Sequence, residues 1–95
     1  MIEAKLYATL RALADGNKSV EIEGGSTVGA ALDQLVTCYP KLRDGLFDDR
    51  GAVRGFVAVM VNGRDIRHLD GLDSLIEDGA TLDIFPPVAG GAIVA

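Results

Sequence analysis

The sequence predicts an α+β fold in which one main helix packs across a mixed sheet of four or five strands. Three observations carry that expectation. Apolar residues alternate along segments at both ends of the chain, an amphipathic helix lies between two hairpins, and an Asn-Gly turn follows the most apolar strand.

From Met1 to Leu10, Ile2, Ala4, Leu6, Ala8 and Leu10 fall on one side and Glu3, Lys5, Tyr7 and Thr9 on the other, the pattern of a half-buried strand. Asp15-Gly16-Asn17 is a turn cluster, and Val20-Glu21-Ile22 resumes alternation, so the two strands pair as a hairpin with a long loop. Gly24-Gly25 ends the second strand. Ser26 or Thr27 then offers an N-cap hydroxyl to a helix running to about Cys38. Val28, Ala31, Leu32, Leu35, Val36 and Tyr39 form its apolar stripe, and Pro40 closes it. Residues 41–55 are a loop or a short second helix around Leu42, Leu46 and Phe47.

Phe56 to Val61 is the strongest strand, with Val57, Val59 and Val61 on one face and Phe56, Ala58 and Met60 on the other. Asn62 and Gly63 both tolerate positive φ and make the hairpin turn, followed by a short return strand, Asp65-Ile66-Arg67. Leu69, Leu72, Leu75 and Ile76 pack a turn-rich segment, Asp78-Gly79 turns again, and Ala80–Phe85 is the last strand. The helix sits between hairpins, which argues against a doubly wound nucleotide-binding fold. Val57, Val59, Val61, Leu32, Leu35, Ile2, Leu6, Leu82 and Ile84 are the expected core.

Ninety-five residues make one domain able to bury a modest core unaided. An apolar fraction of 48% argues against disorder, and a net charge of −5 against nucleic acid or an anionic membrane as partner. The overall acidity suits docking on a basic partner surface. A single cysteine forms no internal disulfide, the start shows no signal peptide, and no apolar stretch is long enough to span a membrane. The expected location is cytoplasmic.

Few side chains invite a chemical role. Cys38 reads as a small core residue near the helix end, and His68 as a solvated loop residue. No Cys/His spacing suggests a metal site, and no cofactor is expected. Gly24-Gly25-Ser26-Thr27-Val28-Gly29 lacks the Lys-Ser/Thr and the parallel βαβ setting of a phosphate loop. Lys5, Lys18 and Lys41 are conceivable attachment points for a modifier, with nothing to single one out.

The final residues are more informative. After Phe85, Pro86 and Pro87 end the strand, because proline donates no ladder hydrogen bond. Val88-Ala89-Gly90-Gly91 then carries no charge and no side chain larger than valine. Residues 1–85 form the domain and 86–95 a flexible tail, thin enough to enter another protein's narrow channel through Pro86, Pro87 and Val88. A frayed terminus is the competing reading, but frayed ends tend to be polar.

The element order, together with Ile76-Glu-Asp-Gly-Ala-Thr-Leu, Val61-Asn62-Gly63 and Phe85-Pro-Pro-Val-Ala-Gly-Gly, resembles the β-grasp sulfur carriers. These ubiquitin-like proteins are typified by the small subunit of molybdopterin synthase (MoaD) and the thiamine carrier (ThiS). The stretch from Asn62 to Asp70 looks closer to the MoaD-like group, which includes the carrier for cysteine synthesis. The resemblance covers residues 1–91 and implies a carrier, not an enzyme, with no catalytic residue of its own. In that family a ubiquitin-activating-type enzyme uses ATP to adenylate the terminal glycine, here Gly91 after Gly90. Sulfur then replaces AMP, and the thiocarboxylate serves a sulfur-accepting biosynthetic enzyme for molybdopterin, cysteine, thiamine or a specialised metabolite.

The sequence departs from that pattern in one respect: Ala92-Ile93-Val94-Ala95 follow Gly91, which therefore sits in an amide. Three readings compete. A JAMM-type metallopeptidase cleaves between Gly91 and Ala92, or carrier chemistry has been lost, or the stop is misassigned; the first is favoured. A ubiquitin-like modifier joined through Gly91, or a non-conjugated interaction domain, are the alternative functions. In a β-grasp sheet the first, third and last strands are neighbours, so Tyr7, Ala58, Met60 and Phe85 are expected to gather in one apolar, partner-binding patch.

Overall fold

The computed structural model describes residues 1–23, 26–55 and 57–86. Its main sheet contains β1 (Ile2–Leu6), β2 (Ser19–Ile22), β4 (Ala58–Val61), β5 (Arg64–Asp65) and β7 (Thr81–Phe85), in the order β2-β1-β7-β4-β5. A second, two-stranded sheet pairs β3 (Ser26–Thr27) with β6 (Leu75–Ile76). Three helices complete the elements used below: α1 (Leu10–Leu13), α2 (Val28–Cys38) and α3 (Leu42–Leu46). The central strands β1 and β7 run parallel, and their other neighbours, β2 and β4, are antiparallel to them. This is the arrangement that a β-grasp resemblance implies.

Helix α2 lies across one face of the sheet because its apolar residues recur every three to four positions. Val28, Ala31, Leu32, Leu35 and Val36 are all buried. They meet Ile2, Ala4 and Leu6 of β1, Val59 and Val61 of β4, Leu82 and Ile84 of β7, and Val57 in one core. All nine expected core residues are buried there. Thr27 starts the helix, its Oγ1 accepting the Ala30 amide at 3.2 Å. Asn62 (φ 50°) and Gly63 (φ 84°) make the hairpin turn in the left-handed conformation that this loop needs.

Several local expectations are corrected. The first strand ends at Leu6, not Leu10. Ala8 adopts φ 52°, which breaks the strand and leaves it exposed, and Leu10 reaches the core from α1. The alternation of Ala8 and Leu10 with the strand is therefore coincidental. Residues 41–55 contain α3 and an isolated bridge between Phe47 and Val53.

The return strand is Arg64–Asp65, while Ile66–His68 form a 3-10 turn in which the Asp65 carboxylate accepts the Arg67 amide at 2.8 Å. That local side-chain bond competes with extended pairing and wins. Leu69 and Leu75 do not pack: they are 37% and 78% exposed, because Ile76 takes the inward position of the two-residue β6. Cys38 is exposed, not a core residue, since it lies in the last turn on the solvent side of the α2 stripe. Phe56 and Gly24-Gly25 lie outside the described residues.

Candidate functional site

The face of the sheet turned away from α2 follows from strand parity. Even positions of β1 and β7 enter the core, so Tyr7, just past β1, and Phe85, the last residue of β7, project to the other side. Parallel register brings them together, with Leu6 opposite Ile84 and the Tyr7 amide donating to the Ile84 carbonyl at 3.3 Å. Their rings stack with centroids 4.3 Å apart and planes at 16°. Such pairs add to the value of simple burial.

Antiparallel pairing with β4 sets Ala58 beside Phe85 and Met60 beside Asp83. The four expected patch residues therefore share one face, all half-buried. The patch is not wholly apolar. The Tyr7 hydroxyl donates to Asp83 Oδ1 at 2.9 Å, so a carboxylate stands between Phe85 and Met60. That hydrogen bond holds the Tyr7 hydroxyl above the usual tyrosine range, with partial burial and the Asp83 charge adding to it and the Arg11 charge opposing it.

Arg11 completes the arrangement. Its Nε donates to the Leu6 carbonyl at 2.9 Å, and its Cζ lies 5.9 Å from the Tyr7 ring centroid, within cation–π range. Asp83 and Arg11 were not anticipated from the sequence. Odd parity does place Asp83 on the face of Phe85, but the β1–β7 register that aligns it with Tyr7 is a long-range pairing. Arg11 arrives only because the chain turns at Ala8.

Pro86, the expected start of the tail, is buried. It lines a shallow groove with Thr9, Leu10, Leu13, Gly45 and Arg54. Pro87, Val88, Gly90, Gly91 and Ala92 lie outside the described residues. His68 is exposed in the 3-10 turn, Lys18 and Lys41 are exposed, and Lys5 is half-buried. Among the described residues no group of three or more His, Cys, Asp or Glu side chains could hold a metal ion. Nor is any of their helices long and apolar enough to cross a membrane. A further cleft, lined by Asp33, Arg43, Asp44, Phe47, Asp48 and Asp49, is polar, and Asp48 Oδ1 is engaged there by the amides of Arg50 and Ala52.

Comparison with known proteins agrees with this geometry. The chain matches the model of the ThiS family over residues 4–91. It is 39% identical over 92 residues to small archaeal modifier protein 3 of Haloferax volcanii, covering 95% of this chain and 98% of that protein. It is 38% identical over 92 residues to the sulfur carrier protein CysO of Mycobacterium tuberculosis, again covering 95% and 98%. It also superposes on a chain of the Amycolatopsis orientalis BexX/CysO complex with a TM-score of 0.86, at 33% identity, covering 96% of this chain and 100% of that one. Its relatives are thus sulfur carriers and small modifiers of ubiquitin-like fold. With nearly the whole chain matched at this level, the protein belongs to the ThiS family, in its ubiquitin-like β-grasp form.

Proposed function

We propose that the protein is a sulfur carrier that works through the Gly91 carboxylate once the bond to Ala92 has been cut. The observation that carries this reading is the family match, which runs from residue 4 to residue 91 and leaves 92–95 outside. The chain supplies no catalytic group and no cofactor. A ubiquitin-activating-type partner uses ATP: the Gly91 carboxylate attacks the α-phosphorus, pyrophosphate leaves, and a sulfur nucleophile then displaces AMP. The thiocarboxylate is carried to a sulfur-accepting biosynthetic enzyme, and the setting is cytoplasmic. Glycine suits this terminus because its carbonyl is unhindered. Tyr7, Ala58, Met60 and Phe85 dock on these partners, while Pro86, Pro87 and Val88 lead the tail that follows the 1–85 domain into the active-site channel.

The preceding step belongs to a JAMM-type metallopeptidase. A zinc-bound hydroxide adds to the Gly91 carbonyl, the bond to the Ala92 nitrogen breaks, and the amine leaves after gaining a proton. An apolar run after two prolines suits entry into a protease groove as an added strand.

The experiment incubates a form ending at Gly91 with its adenylating enzyme, ATP and a sulfur donor. The expected result is a gain in mass equal to the difference between sulfur and oxygen. Likeness to a small archaeal modifier favours a second reading, in which Gly91 forms isopeptides with lysines of other proteins. Lysine-linked adducts without thiocarboxylate in the same reaction would decide for it.

A further inference from the structure

The chain carries a net charge of −5, which taken whole favours a basic partner. Beside the Tyr7–Phe85 stack the local balance is the reverse. A cleft of about 210 Å³ opens between β1, α1 and the start of β2, lined by Lys5, Arg11 and Lys18 together with Tyr7, Ser19 and a single carboxylate, Glu3. Three consecutive elements at the start of the chain bring the cations there. Lys5 stands on the open face of β1 opposite Ser19, Arg11 is on α1, and Lys18 directly precedes β2.

The cations make no ion pair among the described residues. Among the described residues the one ion pair is between the Met1 ammonium and Asp78, so Lys5, Arg11 and Lys18 have no described carboxylate within bridging distance. Asp83, next to Lys5 in the β1–β7 register, takes the Tyr7 hydroxyl instead. Arg11 is also held in place. Its Nε is tied to the Leu6 carbonyl and its plane is carried over the Tyr7 ring, while its two Nη groups make no hydrogen bond to a described residue. A guanidinium fixed through Nε with its outer edge free is set up for a carboxylate, since little rotamer freedom remains to be lost.

We propose that this cleft is a carboxylate-receiving pocket that takes an aspartate or glutamate side chain of the protein docking on the Tyr7–Phe85 face. The inference rests on the docking reading above and deepens it, because it fixes the sign of the partner's contacting segment as acidic. Charge complementarity identifies the occupant: three cations with no ion pair among the described residues stand against Glu3 in the cleft and Asp83 beside it, whose Oδ1 is taken by Tyr7, continuous with an aromatic surface, in a chain whose excess charge is negative. Tyr7 joins the two parts, stacking on Phe85 and carrying Arg11 over its ring. The aromatic pair supplies contact area and the cations steer approach and register.

Two arms test it on the full chain. In the first, association with the adenylating enzyme is measured at about 50 mM and about 300 mM salt, which bracket weak and strong screening. Lys5→Glu/Lys18→Glu should slow association about 10-fold at low salt, with the gap closing at high salt. Lys41→Glu/Arg50→Glu, the same charge change outside the cleft, should alter it less than about 2-fold. Equal effects of the two pairs, or no effect of the first, would overturn the proposal.

In the second arm, amide NMR shifts are followed while a short Asp/Glu-rich peptide or its lysine counterpart is added. Movement centred on Lys5, Tyr7, Arg11 and Ser19 with the acidic peptide alone supports the pocket. Absent, scattered or charge-indifferent shifts overturn it. If the wild-type chain does not bind the enzyme at all, the carrier reading fails, and the peptide arm still decides the cleft.

Discussion

Leu82 and Phe85 lie on the same strand, three positions apart, and should fail in opposite ways. Leu82 is fully buried between β1 and β4, so Leu82→Ala removes three carbons from a site that cannot fully collapse. At about 0.8 kcal/mol for each carbon, transfer alone costs about 2.4 kcal/mol, and the residual cavity raises the total to about 3–4 kcal/mol. For a domain of this size that lowers Tm by roughly 12–30 °C. Phe85 is half-buried and faces away from α2, so Phe85→Ala loses about half a phenylalanine's burial plus the stack on Tyr7, about 2 kcal/mol in all.

Affinity should show the opposite order. Phe85→Ala is expected to weaken docking on the adenylating enzyme by about 5- to 150-fold, the loss of an aromatic anchor worth about 1–3 kcal/mol. Folded Leu82→Ala should bind within about 2-fold of wild type, because it touches no partner. Far-UV circular dichroism melts and calorimetric titration at a temperature where both variants are folded give the two quantities. If Phe85→Ala proves the more destabilising, or folded Leu82→Ala loses affinity, the assignment of odd residues to the docking face is wrong.

Three further outcomes are expected. In a Tyr39→Phe background, Tyr7 should ionise above pH 10 in an absorbance titration, and Asp83→Asn should bring it down. Because folding raises this group, its stabilising contribution is fully present below the unfolded value and is lost as pH rises through the folded one. Thr27→Ala should cost about 1 kcal/mol in urea unfolding without affecting docking, by removing the oxygen that accepts the Ala30 amide. The form ending at Gly91 should be adenylated while the intact 95-residue chain is not, as read by pyrophosphate release; equal rates would end the proposal that cleavage activates the carrier.

What the sequence made legible was mostly local. The α2 stripe, the valines on either side of Ala58 and Met60, and the turn at Asn62-Gly63 each follow from a short period or a φ requirement, and each stands as expected. Errors arose where one residue changed direction or a short side-chain bond replaced a ladder. Ala8 ended β1 early, Asp65 drew the following residues into a 3-10 turn, and Leu75 was left outward by a two-residue strand that no periodicity could announce. Aromatic clustering was readable because parity places Tyr7 and Phe85 on one side. The partners of Tyr7 were not, since Asp83 and Arg11 reach it through register and a reversal of the chain. Overall acidity pointed toward a basic partner, whereas the cations around Tyr7 are gathered on one side by the way β1, α1 and the start of β2 fold together.

The placement of β7 also determines how the domain bears a mechanical load. Tension applied through the residues beyond Pro86 runs along β7, which is hydrogen-bonded on one side to β1 and on the other to β4. Both ladders are then loaded in shear, many bonds at once, instead of being unzipped one by one from an edge. A segment threaded into partners as proposed above would thus be rooted in a strand held on both sides, so it could be gripped and released without unravelling the body that carries it.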